Sequence, residues 1–297
     1  MIRAILAWLM LCSGAAAQVG QMPNIAQLQP ASAAYAGPGD VVASASGWWG
    51  FRAYSAAKKG TKAINVCNVS DVACADMNTD AITGALVITL VGGSDCSSVT
   101  CTIKTVYDQS GGTNCSAAAC DLTNSTIANR PTLQTNCANG QPCAVCNGAS
   151  SQKLANTSAP TLAQPISGAY VGARTGTFTT GGGLLSSAST GLIAGFAPST
   201  NTFRIFNGTS LPATASDSTV HSFQTVSNNT SSVVVVDGSA TSGTSSTGGI
   251  ATNLDICNSN GSFLTGQWME AGFWTVAFTS TQYGNLRLNQ KGFWNTP

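Results

Sequence analysis

Charge is what this 297-residue sequence has least of: 12 Lys and Arg and 11 Asp and Glu make up 8% of it, with a net charge of +1. An even balance without basic clusters excludes nucleic acid or an anionic membrane surface as the partner, because both are held by arrays of Lys and Arg. Histidine occurs once, as His221, and glutamate once, as Glu270. With Ser222 adjacent to His221 and no evident orienting acid, a Ser-His-Asp relay is not expected. Long apolar runs are missing too. Ala4 to Leu11 is too short for a membrane span, and no other segment is long and apolar enough to cross a bilayer.

What is present reads as an exported, β-rich chain. Arg3, the apolar run Ala4 to Leu11 and the small residues Ala15, Ala16 and Ala17 form a secretory leader over 1–17. Residues 18–40, rich in Ala, Gln and Pro, read as a polar lead-in. A single domain is expected over 41–297, placed outside the cytoplasm, whether secreted, periplasmic or extracellular. Losing Cys12 with the leader leaves ten of 11 cysteines, an even number that suits a disulfide framework. The close pairs Cys67/Cys74, Cys96/Cys101 and Cys115/Cys120 read as local staples. Cys137, Cys143, Cys146 and Cys257 supply the rest, with Cys257 making a long-range bridge. The competing reading is zinc at Cys137, Cys143 and Cys146, given the ligand-like spacing Cys143-x-x-Cys146. Export and the lack of a nearby histidine favour disulfides, so neither metal nor cofactor is expected.

The most specific stretch is Cys96-Ser-Ser-Val-Thr-Cys101-Thr-Ile-Lys-Thr-Val-Tyr107-Asp108-Gln109-Ser110-Gly111. From Cys101 its residues alternate, predicting a strand with Cys101, Ile103, Thr105 and Tyr107 on one face. Asp108 then reads as a turn former. Elsewhere the pattern predicts a helix over Ser46–Lys59, strands over Thr61–Cys67, Ala85–Val91 and Thr202–Asn207, and a hairpin across His221–Gly238. A central strand is expected over Gln267–Phe278 and a closing helix over Ser280–Phe293, capped by Ser280 or Thr281. Many short strands separated by turns give an all-β sandwich.

The segment Cys-x4-Cys-x-Ile-x-x-Val-Tyr-Asp-Gln-Ser-Gly resembles the catalytic domain of the fungal-type α-L-arabinofuranosidases, glycoside hydrolase family fifty-four. Matching features extend over Ser46–Gly148, with an Asn139-Gly-Gln turn leading into a strand, and over Asp255–Glu270. The resemblance implies a concanavalin-like jelly roll with disulfide-stapled loops. It also implies activity on, or binding of, an arabinose-containing polysaccharide. Where the family carries two adjacent, bridged cysteines lining its pocket, this chain has Gly181-Gly-Gly183, which reads as the loss of a pocket wall.

Retaining glycoside hydrolysis needs two carboxyl groups about 5–5.5 Å apart. The family's acid lies in Gly-Gly-Asp-Asn-Ser-Asn-Gly, whose counterpart is Asp255-Ile-Cys257-Asn258-Ser259-Asn260-Gly261, with Cys257 at the acid position. The nucleophile region matches Phe203–Gly208, with Asn207 near the expected glutamate. The family carboxylates are therefore not retained. Asp255, shifted by a bulge, and Glu270, its alternation placing it beside Trp268 and Trp274, are the substitute catalytic candidates. Trp268 and Trp274, whose indoles can stack on sugar faces, and the amides of Asn207 and Asn258 are the candidate substrate contacts. Three readings follow: an altered glycosidase, a lectin-like module that binds glycan without cleaving it, and a structural surface or adhesion domain.

Overall fold

The computed structural model describes residues 34–111, 120–159, 161–176, 181–187, 193–198, 200, 202–215, 218–250 and 253–297. The expected leader, most of the expected lead-in and Cys115 lie outside the described residues. In chain order, a short helix α1 (Pro38–Val41) precedes β1 (Gly47–Gly50), β2 (Lys62–Asn68), β3 (Cys74–Asn78), β4 (Cys101–Val106) and β5 (Leu122–Thr123). There follow β6 (Thr132–Ala138), β7 (Gln141–Cys146), β8 (Leu154–Asn156) and β9 (Ile166–Arg174). A meander of β10 (Gly182–Ser187), β11 (Ile193–Phe196), β12 (Thr202–Phe206) and β13 (Ser210–Ala215) leads to a second one of β14 (His221–Ser227), β15 (Ser232–Val236) and β16 (Ser239–Gly243). β17 (Leu254–Ile256), the small hairpin β18 (Asn258–Ser259) and β19 (Ser262–Phe263), β20 (Gly266–Trp274) and helix α2 (Ser280–Trp294) complete the chain.

All pairings are antiparallel and trace two layers. One runs β3, β2, β4, β5, β8, β17, β10, β11, β12, β13. The other runs β16, β15, β14, β9, β20, with β1 and β7 sharing the far edge of β20 and β6 beside β7. A single pairing, Thr102 with Thr132, joins the layers at β4 and β6. Between them lies the apolar core, where Ile64, Ile103, Leu122, Leu254 and Phe203 meet Tyr170, Phe223 and Trp268. Phe203 stacks on Phe223 at 4.0 Å between ring centroids, so the layers interlock through rings that each remove a large apolar area from water.

Helix α2 covers the outer face of the second layer, its start fixed by a capping box in which Thr279 accepts from Gln282 N at 3.3 Å. The cap is Thr279, one residue before the expected position. The expected helix over Ser46–Lys59 is instead strand β1 and a single 3-10 turn, Ala56–Lys58. Trp48, Trp49 and Phe51 are all fully buried, on both faces of a strand, a demand that no helix with one apolar stripe meets. The apolar run Ala85–Val91 forms only isolated bridges, and its Leu90 is 61% exposed, because it lies along an edge rather than between strands.

Among the described residues, disulfides join Cys67–Cys74, Cys96–Cys101, Cys137–Cys143 and Cys146–Cys257. Cys120 is also disulfide-bonded. The zinc alternative at Cys137, Cys143 and Cys146 is thereby removed, since sulfurs in disulfides offer no thiolate. The same applies to the grouping of Cys67, Asp71 and Cys74.

Candidate functional site

Two β-bulges decide which side chains meet solvent and which meet the core. In the β2–β4 ladder, Asn65 pairs with Thr105 but Val66 pairs with Ile103, leaving Lys104 as the extra residue. A bulge reverses the alternation beyond it, so Ile103 and Val106 both enter the core while Thr105 and Tyr107 turn outward. The expected single face of Cys101, Ile103, Thr105 and Tyr107 is split at that point.

The outward residue Thr105 belongs to one row across the first layer, which ends on the buried Asp255 and Ser186. Asp76 pairs with Asn65, Asn65 with Thr105, Thr105 with Thr123, Thr123 with Ala155, Ala155 with Asp255, and Asp255 with Ser186. Paired residues in an antiparallel ladder point to the same face, so a polar stripe crosses seven strands with a carboxylate near each end. Over its middle lies an open groove of about 720 Å³, lined by Thr105, Tyr107, Asp121, Thr123, Lys153 and Thr157 among others. From Thr105 to Ala155, the members of the row that line the groove, is two strand spacings, about 10 Å.

Electrostatically the groove is graded. At one end the Tyr107 hydroxyl donates to Asp76 Oδ1 at 2.6 Å, and Lys62 Nζ lies 2.6 Å from Asp76 Oδ2. Burial lifts the Asp121 carboxyl above the ordinary range, and burial followed by the Asp76 carboxylate lifts the Tyr107 phenol. At the other end Lys153 Nζ sits 3.5 Å from Asp255 Oδ1. Asn124 and Asn156 shape the walls, their amides donating to the Lys153 and Asp121 carbonyls at 2.9 and 3.1 Å. Asp108 holds the motif turn, accepting from Ser110 N at 3.0 Å and from Trp48 N at 2.9 Å.

Of the residues singled out from sequence, only Asp255 and Asn258 are brought together, with Asn258 Nδ2 donating to Asp255 Oδ2 at 3.1 Å. Both are buried, so neither is presented to a substrate as expected. Glu270 is a core residue: it is 0% exposed and bound by Arg52 at 2.6 and 2.8 Å, so no substrate reaches it. A bulge between Trp268 and Glu270 breaks the expected alternation. Trp268 consequently packs between the layers against Phe51, whereas Trp274 packs against Trp48 in a separate cluster. Neither indole is open for stacking, and their N–H groups donate to the Leu184 and Ala43 carbonyls at 2.9 and 3.1 Å.

Asn207 is likewise internal, its amide donating to Ser227 Oγ at 2.8 Å and accepting from Ser246 N at 2.7 Å. Cys257 is locked to Cys146. The glycine triplet opens no pocket. A Cβ on Gly183 would fall 2.2 Å from the Asn258 carbonyl oxygen and one on Gly182 2.8 Å from the Leu264 Cα, so these glycines admit the backbone of the 258–264 segment. His221 has an orienting acid after all, Asp237 Oδ2 at 2.5 Å from Nδ1, supplied by the hairpin partner strand. Sequence reasoning missed Asp121, Lys153 and the pairing of Tyr107 with Asp76. Asp121 offered one signal, an aspartate alternating with Thr123 around a core leucine.

No family model matches this sequence, and no curated protein matches it. Solved structures do, and they define the class: the chain is an all-β, concanavalin-like jelly-roll sandwich with disulfide-stapled loops, the fold of the family fifty-four arabinofuranosidases. A family fifty-four α-L-arabinofuranosidase soaked with a cyclic sulfate inhibitor matches with TM-score 0.65 and 12% identity, over 85% of this chain and 64% of that one. An arabinofuranosidase complexed with arabinofuranosyl-α-1,2-xylobiose matches with TM-score 0.64, 13% identity and the same coverages of 85% and 64%. This chain therefore spans less than two thirds of those proteins, and at such identity the likeness establishes the fold alone.

Proposed function

We propose that this protein is an exported carbohydrate-active domain that binds an arabinose-containing polysaccharide in the groove over β4, β5 and β8. The observation that carries this is the groove lining of Thr105, Thr123 and Ala155, paired across three strands, with Asp121, Asn124 and Lys153 beside them: hydroxyls, an amide and charged groups set at strand intervals along an open groove. Such groups recognise sugar hydroxyls, and about 10 Å of groove takes roughly two sugar residues end to end. The fold shared with arabinofuranosidases supports the sugar class, and the secretory leader and disulfides support export. At the two positions matched to the family's carboxylates, Cys257 is in a disulfide and Asn207 is committed to hydrogen bonds, which favours a lectin-like binding role there over inherited hydrolysis.

The test is affinity electrophoresis of the oxidised protein through gels containing arabinan or arabinoxylan. Retardation by either is expected, and it is expected to disappear in Ala155→Trp, which fills the middle of the groove from an outward-facing position. Unretarded migration in both gels overturns the reading and leaves a structural surface domain.

A further inference from the structure

Tyr107, two residues on from Thr105 and outward like it, is the one aromatic side chain among the residues that line the groove. Its backbone continues β4, yet its hydroxyl donates to Asp76 Oδ1 on β3 at 2.6 Å, and β2 lies between those two strands. Neighbouring strands are about 4.8 Å apart, so donor and acceptor belong to strands roughly 10 Å from each other. A side chain bridges that gap only by lying down along the sheet, across β2, rather than standing on it. The ring therefore carries the groove past Thr105 by about one strand, on the side away from Thr123 and Ala155.

The ring is held in that position from several sides. Tyr107 N donates to the Ala63 carbonyl at 2.9 Å. Asp76, the acceptor of its hydroxyl, is itself held by Asn65 Nδ2 at 2.7 Å and Lys62 Nζ at 2.6 Å. The same Lys62 Nζ stands 5.8 Å from the ring centroid. A side chain fixed before the ligand arrives gives up little rotamer freedom on binding. Its hydroxyl is already committed, and burial together with the Asp76 carboxylate keeps the phenolic proton in place. What Tyr107 has left to offer a ligand is the ring itself.

We propose that Tyr107 is the stacking platform of the groove, receiving the apolar face of one sugar ring at the end beyond Thr105 while Thr105 and Thr123 take the hydroxyls of the next. The proposal rests on the reading of the groove as a saccharide site. A sugar ring is polar at its rim and carries C–H bonds on its faces. Those C–H bonds are slightly positive and pack on the negative face of an aromatic ring. Every tryptophan of the described residues is buried, so the role expected of Trp268 and Trp274 falls to this tyrosine.

The experiment compares the full oxidised protein with Tyr107→Phe and Tyr107→Leu by affinity electrophoresis through arabinan and arabinoxylan, with thermal melts to show that each variant is folded. Tyr107→Phe keeps the ring and is expected to bind within about threefold of the parent, whereas Tyr107→Leu is expected to bind about tenfold more weakly. Proton spectra of arabinan oligosaccharides give a second readout. The ring protons of one sugar residue are expected to move upfield, under the aromatic ring current, with the parent and with Tyr107→Phe. Tyr107→Leu binding as tightly as the parent, or no upfield shift with the parent, overturns the proposal and keeps the groove. Tyr107→Phe as weak as Tyr107→Leu also overturns it, since the hydroxyl would then be the binding group. If Tyr107→Leu does not fold, the shift seen with the parent decides alone. A parent that neither gel retards overturns the groove reading itself, and the proposal with it.

Discussion

Arg52 and Glu270 form a fully buried, two-pronged ion pair, with Nε to Oε2 at 2.6 Å and Nη2 to Oε1 at 2.8 Å. Gln290 on α2 donates to the same carboxylate at 3.0 Å, and Gln224 on β14 donates to Gln290 at 2.7 Å. The sole glutamate of the chain thus ties the closing helix to the second layer, and its chemistry is consumed in doing so.

Breaking that pair leaves an uncompensated charge in the core. Glu270→Ala is expected to cost about 3–5 kcal/mol, and replacing Arg52 and Glu270 together by Met and Leu is expected to recover most of it. Urea denaturation measures both. A Glu270→Ala midpoint equal to the parent's would show that the guanidinium finds another partner.

Among the disulfides, Cys146–Cys257 spans 111 residues and Cys67–Cys74 spans 7. Loop-closure entropy then predicts a loss of about 4–5 kcal/mol for the paired Cys→Ser change at the first and about 2–3 kcal/mol at the second. Denaturation midpoints of the two double variants test the order, and an inverted order would defeat the entropic account.

The Asp121 carboxyl is raised in the folded state by burial. A raised carboxylate penalises folding when ionised, fully at pH above its folded pKa and not at all below the unfolded value of about 3.9. Asp121→Asn keeps an acceptor for the Asp108 N–H and removes the penalty. It is expected to raise Tm at pH 8, with the gain shrinking as pH falls through the raised pKa and vanishing below about 3.9. Calorimetry across that range checks the sign; a gain that grows on acidification would refute it.

The tryptophans separate packing from recognition. Trp274→Ala is expected to cost about 3–5 kcal/mol, because the indole fills the cluster with Trp48 and Phe278. Retention on arabinan at a temperature where this variant stays folded is expected to match the parent's. Selective loss of retention would return the indole to the binding face.

Sequence alone determined the elements that rest on local pattern. The strand after Cys101, the hairpin from His221 to Gly238 and the closing helix were legible, because alternation, turn residues and caps act within a few positions. The cysteine count and the spacing of Cys67/Cys74 and Cys96/Cys101 announced their bridges for the same reason. The short residues around Trp48 misled, since local spacing there suits a helix while burial on both faces demands a strand. The site was less legible still. A bulge adds one residue and inverts every side chain beyond it, and neither the bulge at Lys104 nor that between Trp268 and Glu270 leaves a compositional mark. Those two inversions turn Tyr107 toward the groove and separate Trp268 from Glu270. The meeting of Asp76, Asn65, Thr105, Thr123, Ala155 and Asp255 in one row likewise belongs to strand pairing between distant segments, which the tertiary structure alone decides because register is set by packing across the sheet.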